Sequence, residues 1–421
     1  MSKKIKVITL GDHPLSPSGV GTQTKYICQA LLDSGRFEIL SLGGAIKHGN
    51  YNMVSVDPYE GNWRILPVDG YGTQEMIRSV LRNEKPDMFW VMTDPRFYEW
   101  LWLIENEIRP LCPIVYYHVW DNFPAPHFNK KYYTSNDHIA CISKLTYDAV
   151  KEVAPEVDSC YLPHAVDSNV FTYGDLEKKK ELRSKVFGGN LQDQVVFLWN
   201  NRNARRKQSG TLLWWFVSWM KENNLEGKVR LIMHTDPYDS HGQNLVDIMD
   251  ELGATNGEVL LSTEKVDADA LCNLYQVADC TINISDAEGF GLATLESLSC
   301  GTPIIANMTG GLQEQVISNE GECGIPIFPS SKSIIGSQQV PYIYEDRISE
   351  KAFAAALSKI YNMSQDARIE MGKVGRRHIE KNYNFDDFNN RWVKLMLRIY
   401  EEQGSWENRV GYNSIKFGEV A

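Results

Sequence analysis

The stretch from Cys280 to Glu296 limits this chain more than any other. A strand-like run, Cys280-Thr281-Ile282-Asn283-Ile284-Ser285, leads into Asp286-Ala287-Glu288-Gly289-Phe290-Gly291, and an apolar helical pattern starts at Leu292. Strand, glycine turn and helix start together make an anion-binding arrangement. Bare N–H groups point out of the helix end, and the dipole adds roughly half a positive charge there. Two carboxylates, Glu288 and Glu296, flank the turn. An eight-residue helical step rises about 12 Å, too far for the two acids to share a proton. Separate roles follow, one at each end of an elongated ligand that carries hydroxyls beside a phosphate. A sugar diphosphate has that shape.

The rest of the chain alternates short apolar runs with helical patterns, in two series. The first holds the runs 6–10, 87–92, 114–118 and 138–143, with helices expected over 19–32, 97–108 and 144–153. The second holds 195–199, 229–234, 280–285 and 303–306, with helices over 209–221 and 269–277. Such alternation predicts βαβ units and parallel sheets, hence two doubly wound domains of α/β class facing each other across a cleft. A length of 421 residues agrees with two cores. The charged segment 167–194, which contains Gly188-Gly189-Asn190, separates the series. Domains are therefore expected at 1–190 and 191–384. Ser349 is a candidate N-cap for the helical C-terminal part, where an amphipathic stretch runs through Phe388, Trp392, Leu395 and Ile399.

Two further elements point at phosphate. Ser16-Pro17-Ser18-Gly19-Val20-Gly21 follows the first strand and opens a helix. Asn200-Asn201-Arg202-Asn203-Ala204-Arg205-Arg206-Lys207 follows the first strand of the second series. Clustered cations in a chain of net charge −11 need a local reason, and Arg and Lys grip phosphate oxygens. The same net charge argues against a large nucleic-acid footprint. No run of 18 apolar residues exists, so no transmembrane helix is expected, and the basic start Lys3-Lys4-Ile5 reads as a strand rather than a signal peptide. Eight cysteines without a CxxC pair suit small buried hydrophobes in a reducing cytoplasm. No zinc spacing is present, and the lone DxD, Asp267-Ala268-Asp269, reads as a helix cap. No metal or cofactor is expected.

Together these motifs resemble retaining glycosyltransferase family 4, with its Glu-x7-Glu signature and GT-B fold of two Rossmann-like domains. Arg202 and Lys207, five apart, are similar to the family's diphosphate-binding pair. Pro163-His164-Ala165-Val166-Asp167 is similar to its Pro-Asn-Gly-Val-Asp segment. Leu274 to Asp279, Gly301 to Ala306, and Gly310-Gly311 with Glu314 match the parts around the signature. The resemblance is strongest over 195–320. It implies that Glu288 contacts the donor sugar, Glu296 holds the ribose hydroxyls, and Arg202 and Lys207 neutralise the diphosphate. Amides at Phe290, Gly291, Leu292, Gly19 and Gly21 would complete the cradle. His118 matches the histidine that approaches the donor sugar. A C-terminal helix, about 385–421, would return to the first, acceptor-binding domain.

The expected function is thus retaining, metal-independent transfer of a sugar from a UDP- or GDP-linked donor to a hydroxyl acceptor. That acceptor is left open among glycan, lipid, protein, small molecule and modified DNA base. A nucleotide-sugar epimerase and a non-catalytic sugar-nucleotide-binding protein are the competing readings. Trp90, Trp100, Trp102, Trp120, Tyr132 and Tyr133 could stack on sugars, although aromatics at such spacing are usually core.

Overall fold

In the computed structural model, which describes residues 3–187 and 194–412, two parallel sheets carry the chain. The first comprises β1 (Ile5–Asp12), β2 (Phe37–Gly44), β3 (Val54–Ser55), β4 (Trp63–Pro67), β5 (Met88–Thr93), β6 (Ile114–His118), β7 (His138–Cys141) and β8 (Ser159–Tyr161). Their order is β3-β4-β2-β1-β5-β6-β7-β8, parallel except for the β3–β4 pair. The second comprises β9 (Val195–Asn200), β10 (Val229–His234), β11 (Val259–Ser262), β12 (Cys280–Asn283), β13 (Ile304–Asn307) and β16 (Gly324–Ile327). Its order is β11-β10-β9-β12-β13-β16, parallel throughout. A small hairpin, β14 (Ile317–Ser318) with β15 (Gly321–Glu322), precedes β16. An antiparallel ribbon, β17 (Ser331–Ile335) with β18 (Ile343–Arg347), follows it.

Helices cover both faces of each sheet, which is why the strands read as continuous apolar runs. In β5, Phe89 and Val91 enter one apolar cluster while Trp90 and Met92 enter another on the opposite face. In β9, Val196 and Leu198 alternate with Phe197 and Trp199 in the same way. Asp267 and Ser349 cap their helices, accepting from Ala270 N and Ala352 N.

The continuous helix expected over 97–108 is broken. Pro95–Tyr98 is a 3-10 turn, followed by one-turn helices at Glu99–Trp102 and Glu105–Ile108. The buried positions here are Tyr98, Leu101, Trp102, Ile104 and Ile108. Tyr98 is pinned separately, its hydroxyl donating to Leu10 O at 2.8 Å and Met92 O at 3.0 Å. Trp102 stacks on Tyr132 at 5.0 Å.

The expected domain boundary at 190/191, with Gly188-Gly189-Asn190, lies outside the described residues, as does the end of the C-terminal segment from 413 to 421. Helix Phe385–Gln403 lies against the first sheet and helix Gly19–Asp33. Phe385 meets Tyr26 edge-on at 4.9 Å, and Trp392 packs against Tyr117 at 4.7 Å and Trp90 at 6.1 Å. Farther on, Ser405 Oγ donates to Asp87 at 2.7 Å.

Candidate functional site

Strand order reverses beside β9, which has β10 on one side and β12 on the other, so their carboxyl ends open a crevice. The loop after β9 and the loop after β12 meet there. Asn203, fully buried, shapes the first loop by donating to Gln243 O at 2.6 Å and accepting from Ser209 Oγ at 2.6 Å. Gln208 turns the chain with a φ of +57°. The two loops are then joined: Asp286 N donates to Arg206 O at 2.8 Å, and Arg206 Nη1 donates to Ala287 O at 2.6 Å.

This joining brings Lys207 Nζ directly onto the Glu288 carboxylate as a buried ion pair. Arg206 Nη1 lies 3.7 Å from the same carboxylate. Burial alone would raise the Glu288 carboxyl, but Lys207 and Arg206 together hold it below its usual range. At Lys207 burial, aided by the neighbouring Arg206 charge, outweighs the pull of Glu288 and lowers the ammonium. Across the cleft, Asp121 of the first domain reaches Arg206 Nε at 3.7 Å. Burial raises the Asp121 carboxyl.

The turn that presents Glu288 rests on Gly310 and Gly311. Gly311 N donates to Glu288 O at 2.9 Å. A Cβ on Gly310 would stand 1.8 Å from that oxygen, and Gly310 has φ +51°. Gly291, at φ +91°, starts helix Leu292–Ser299 with no side-chain cap, so the first amides are left open at the helix end. Helix Gly19–Asp33 approaches from the other domain, since a Cβ on Gly19 would lie 3.1 Å from Leu292 Cδ1. Two helix N-termini therefore converge on the cleft. Phe290 is buried edge-on against His164 at 4.9 Å.

Glu296 lies one turn inside its helix and accepts from Tyr275 Oη at 2.7 Å, which itself accepts from Asn200 Nδ2 at 2.7 Å. Burial pushes the Glu296 carboxyl up to about 7, against the pull of the Tyr275 hydrogen bond.

The structure brings Glu288, Lys207, Gly291, Leu292 and Gly19 together, with Glu296 on the same short helix. Three other expected residues stand apart from that group. Arg202 points to the surface, paired with Asp239 at 2.6 Å and with His241 at 2.7 Å. Gly21 has its amide taken by the Ser18 cap at 2.9 Å, and a Cβ there would strike Ser16 Oγ at 2.3 Å. His118 is fully buried, its two ring nitrogens held by Tyr116 Oη at 2.9 Å and Tyr133 Oη at 2.7 Å. Burial lowers it to about 3, so it stays neutral. The aromatics Trp90, Trp102, Trp120 and Tyr133 are core rather than cleft surface. Sequence reasoning assigned no role to Arg206, Tyr275, Asp121 or Asp286. Arg206 stood within the basic run and Tyr275 within a quoted helix; nothing local marked Asp121.

Residues 243–378 match the family model described as glycosyl transferases group 1. Among curated relatives, alpha-monoglucosyldiacylglycerol synthase of Streptococcus pneumoniae is 29% identical over 177 residues, 41% of this chain and 37% of that protein. The D-inositol 3-phosphate glycosyltransferase of Mycolicibacterium smegmatis is 38% identical over 150 residues, 35% of this chain and 31% of that protein. The matched stretch thus spans about a third of either relative. Solved structures agree over nearly the whole chain. Sucrose-phosphate synthase from Thermosynechococcus elongatus superposes with a TM-score of 0.74 at 16% identity, covering 95% of this chain and 100% of that one. Anabaena HepE in complex with UDP and glucose gives 0.67 at 15% identity, over 93% and 99%. The fold is GT-B, as the resemblance implies. The group 1 region contains β12, the Glu288 turn and Glu296, whereas the basic loop at 202–207 precedes it. No helix among the described residues is long and apolar enough to cross a membrane.

Proposed function

We propose that this chain is a retaining glycosyltransferase of family 4 type, which moves a sugar from a UDP- or GDP-linked donor to a hydroxyl acceptor without a metal ion. The observation that carries the reading is the buried Lys207–Glu288 pair, flanked by Arg206, at the strand-order reversal and beside two converging helix N-termini. Glu288 binds the donor sugar and Glu296 the ribose. Lys207 and Arg206, with the open amides from Phe290 to Leu292, stabilise the charge that develops on the departing diphosphate. Arg202 joins them when the donor arrives. An exposed ion pair such as Arg202–Asp239 is worth at most about 1 kcal/mol, whereas a charge-assisted bond to phosphate contributes about 1.5–3 kcal/mol. In the reaction the bond from sugar to diphosphate breaks as the acceptor oxygen bonds on the same face. The acceptor proton passes to the departing phosphate oxygen.

The test is a screen of UDP- and GDP-sugars with a chelator present, reading release of free nucleoside diphosphate and the anomeric configuration of the product. Turnover with retained configuration is the expected result. Full dependence on a divalent metal, or inversion, overturns the assignment.

A further inference from the structure

The ribbon β17–β18 belongs to neither sheet, yet it crosses from one domain to the other. Tyr344 N donates to Phe123 O at 2.6 Å, and Asn122 Nδ2 donates to Tyr344 O at 2.9 Å. Strand alternation separates its two faces. One carries Glu345 and Arg347, which pair with Arg205 at 2.5 Å and Asp286 at 2.5 Å and so fasten the ribbon to the donor loops. The other carries Lys332, Ile334 and Tyr344, with Lys332 opposite Asp346 and Ile334 opposite Tyr344 in the register.

On that second face two aromatic side chains are left about half in solvent, with Tyr344 partly buried. Phe123 is 50% exposed and Tyr342 48% exposed. Tyr342 and Tyr344 meet edge-on at 5.5 Å with their hydroxyls 2.7 Å apart. Lys332 Nζ stands 5.7 Å from the Phe123 ring and 5.9 Å from the Tyr344 ring. This is an apolar surface edged by two hydroxyls and an ammonium. It suits a ligand with an apolar face and a rim of hydroxyls, and a pyranose ring has both. Its position fits the chemistry next door. Phe123 is two residues, at most about 7 Å of chain, from Asp121, which meets Arg206 beside Glu288.

We propose that Phe123, Tyr342, Tyr344 and Lys332 form an acceptor subsite whose occupant is a saccharide ring one unit away from the sugar that receives the transfer. The inference rests on the transferase reading above and gives its open acceptor a chemical class. The platform is built from both domains, so it is complete only when the ribbon bridges the cleft.

The experiment is saturation-transfer NMR on the full chain with methyl α-glucoside, methyl α-mannoside and methyl β-galactoside, and with octyl β-glucoside as the alkyl control. Each is run with and without saturating UDP or GDP. Transfer to ring protons of at least one methyl glycoside, kept in the presence of nucleotide and reduced at least fivefold in Phe123→Ala/Tyr342→Ala, is the expected result. The nucleotide-induced rise in melting temperature of the variant checks its fold. No transfer to any methyl glycoside, an unchanged signal in the double variant, or transfer confined to the octyl chain overturns the proposal. If glycosides bind the platform but neither UDP nor GDP raises the melting temperature, the transferase reading fails and the platform stands. The opposite pattern removes the platform alone.

Discussion

Glu296 turns the proposed donor site into a pH-dependent one. Its carboxyl is pushed up to about 7 because burial disfavours the charge, while an ordinary glutamate titrates at about 4.3. The folded chain therefore keeps a proton that the unfolded chain gives up. The stability tied to this group is full below about 4.3 and is lost as pH rises to about 7, a change of up to about 3 kcal/mol. A ribose whose hydroxyls donate to Glu296 binds only the ionised form. At pH 6 about one site in ten is ionised, and at pH 8 about nine in ten, so donor Kd falls about tenfold, or about 1.4 kcal/mol. Calorimetry with UDP-glucose or GDP-mannose at pH 6, 7 and 8 reads this directly. A nucleotide sugar is the better ligand, since a free terminal phosphate itself titrates at about 6. Repeating the pH 6 titration in two buffers of different ionisation enthalpy should show close to one proton released per donor bound. Glu296→Gln should bind more weakly at pH 8 and show no slope. A wild-type affinity that is flat from pH 6 to 8, or the same slope in Glu296→Gln, refutes the ribose role.

Three further outcomes are expected. Asp239→Asn releases Arg202 and tightens donor binding up to about fivefold, while Arg202→Ala weakens it about tenfold or more; donor titration of both variants reads the effect, and unchanged affinity in both removes Arg202 from the site. Gly310→Ala costs at least about 3 kcal/mol, because the new Cβ falls on the Glu288 carbonyl at a positive φ; urea unfolding and loss of nucleotide binding should appear together, and a wild-type profile contradicts the role given to this turn. Trp392→Ala removes a ring packed between Tyr117 and Trp90 and costs about 3–5 kcal/mol, read as a lowered melting temperature and faster proteolysis ahead of Phe385. Trp392→Phe should recover most of the loss.

What the sequence made legible follows the range of the forces involved. Strands buried on both faces, such as Val195–Trp199, declare themselves as apolar runs, and the Glu288 turn declares itself through its glycines. β2 carries a weaker signal because Glu38 and Ser41 interrupt it. Ser41 accepts a hydrogen bond from Thr9 at 2.8 Å, and that partner comes from β1. Partners of this kind are also what separated expected from observed site residues. The five-residue step from Arg202 to Lys207 located the right loop, but Asp239, 37 positions later, decides where Arg202 points. The strand end at His118 was visible, whereas its enclosure by Tyr116 and Tyr133 needed the folded chain. The ribbon β17–β18 carries no continuous apolar run, and the Phe123 bridge that ties it to the first domain lies more than 200 residues away.

Charge balance then orders the steps of the proposed cycle. The innermost ion pairs join two cations, Arg206 and Lys207, to two carboxylates, Glu288 and Asp121. A second set joins Arg205 and Arg347 to Glu345 and Asp286. Each set is neutral, so a donor diphosphate with two negative charges meets no spare cation while these pairs are closed. Two changes can supply the difference. Arg202 can leave its exposed pair with Asp239 at small cost. Asp121, carried by the other domain, can withdraw when the cleft opens and leave Arg206 uncompensated. Donor capture in the open cleft follows, with closure afterwards setting Asp121 beside a sugar already held by Glu288. Asp121→Asn should then ease capture, lowering the donor Kd, and at the same time reduce kcat by removing the carboxylate that closure sets beside the bound sugar. A variant that binds donor more weakly than wild type would show that Asp121 serves the donor instead, and the proposed order of steps would fall.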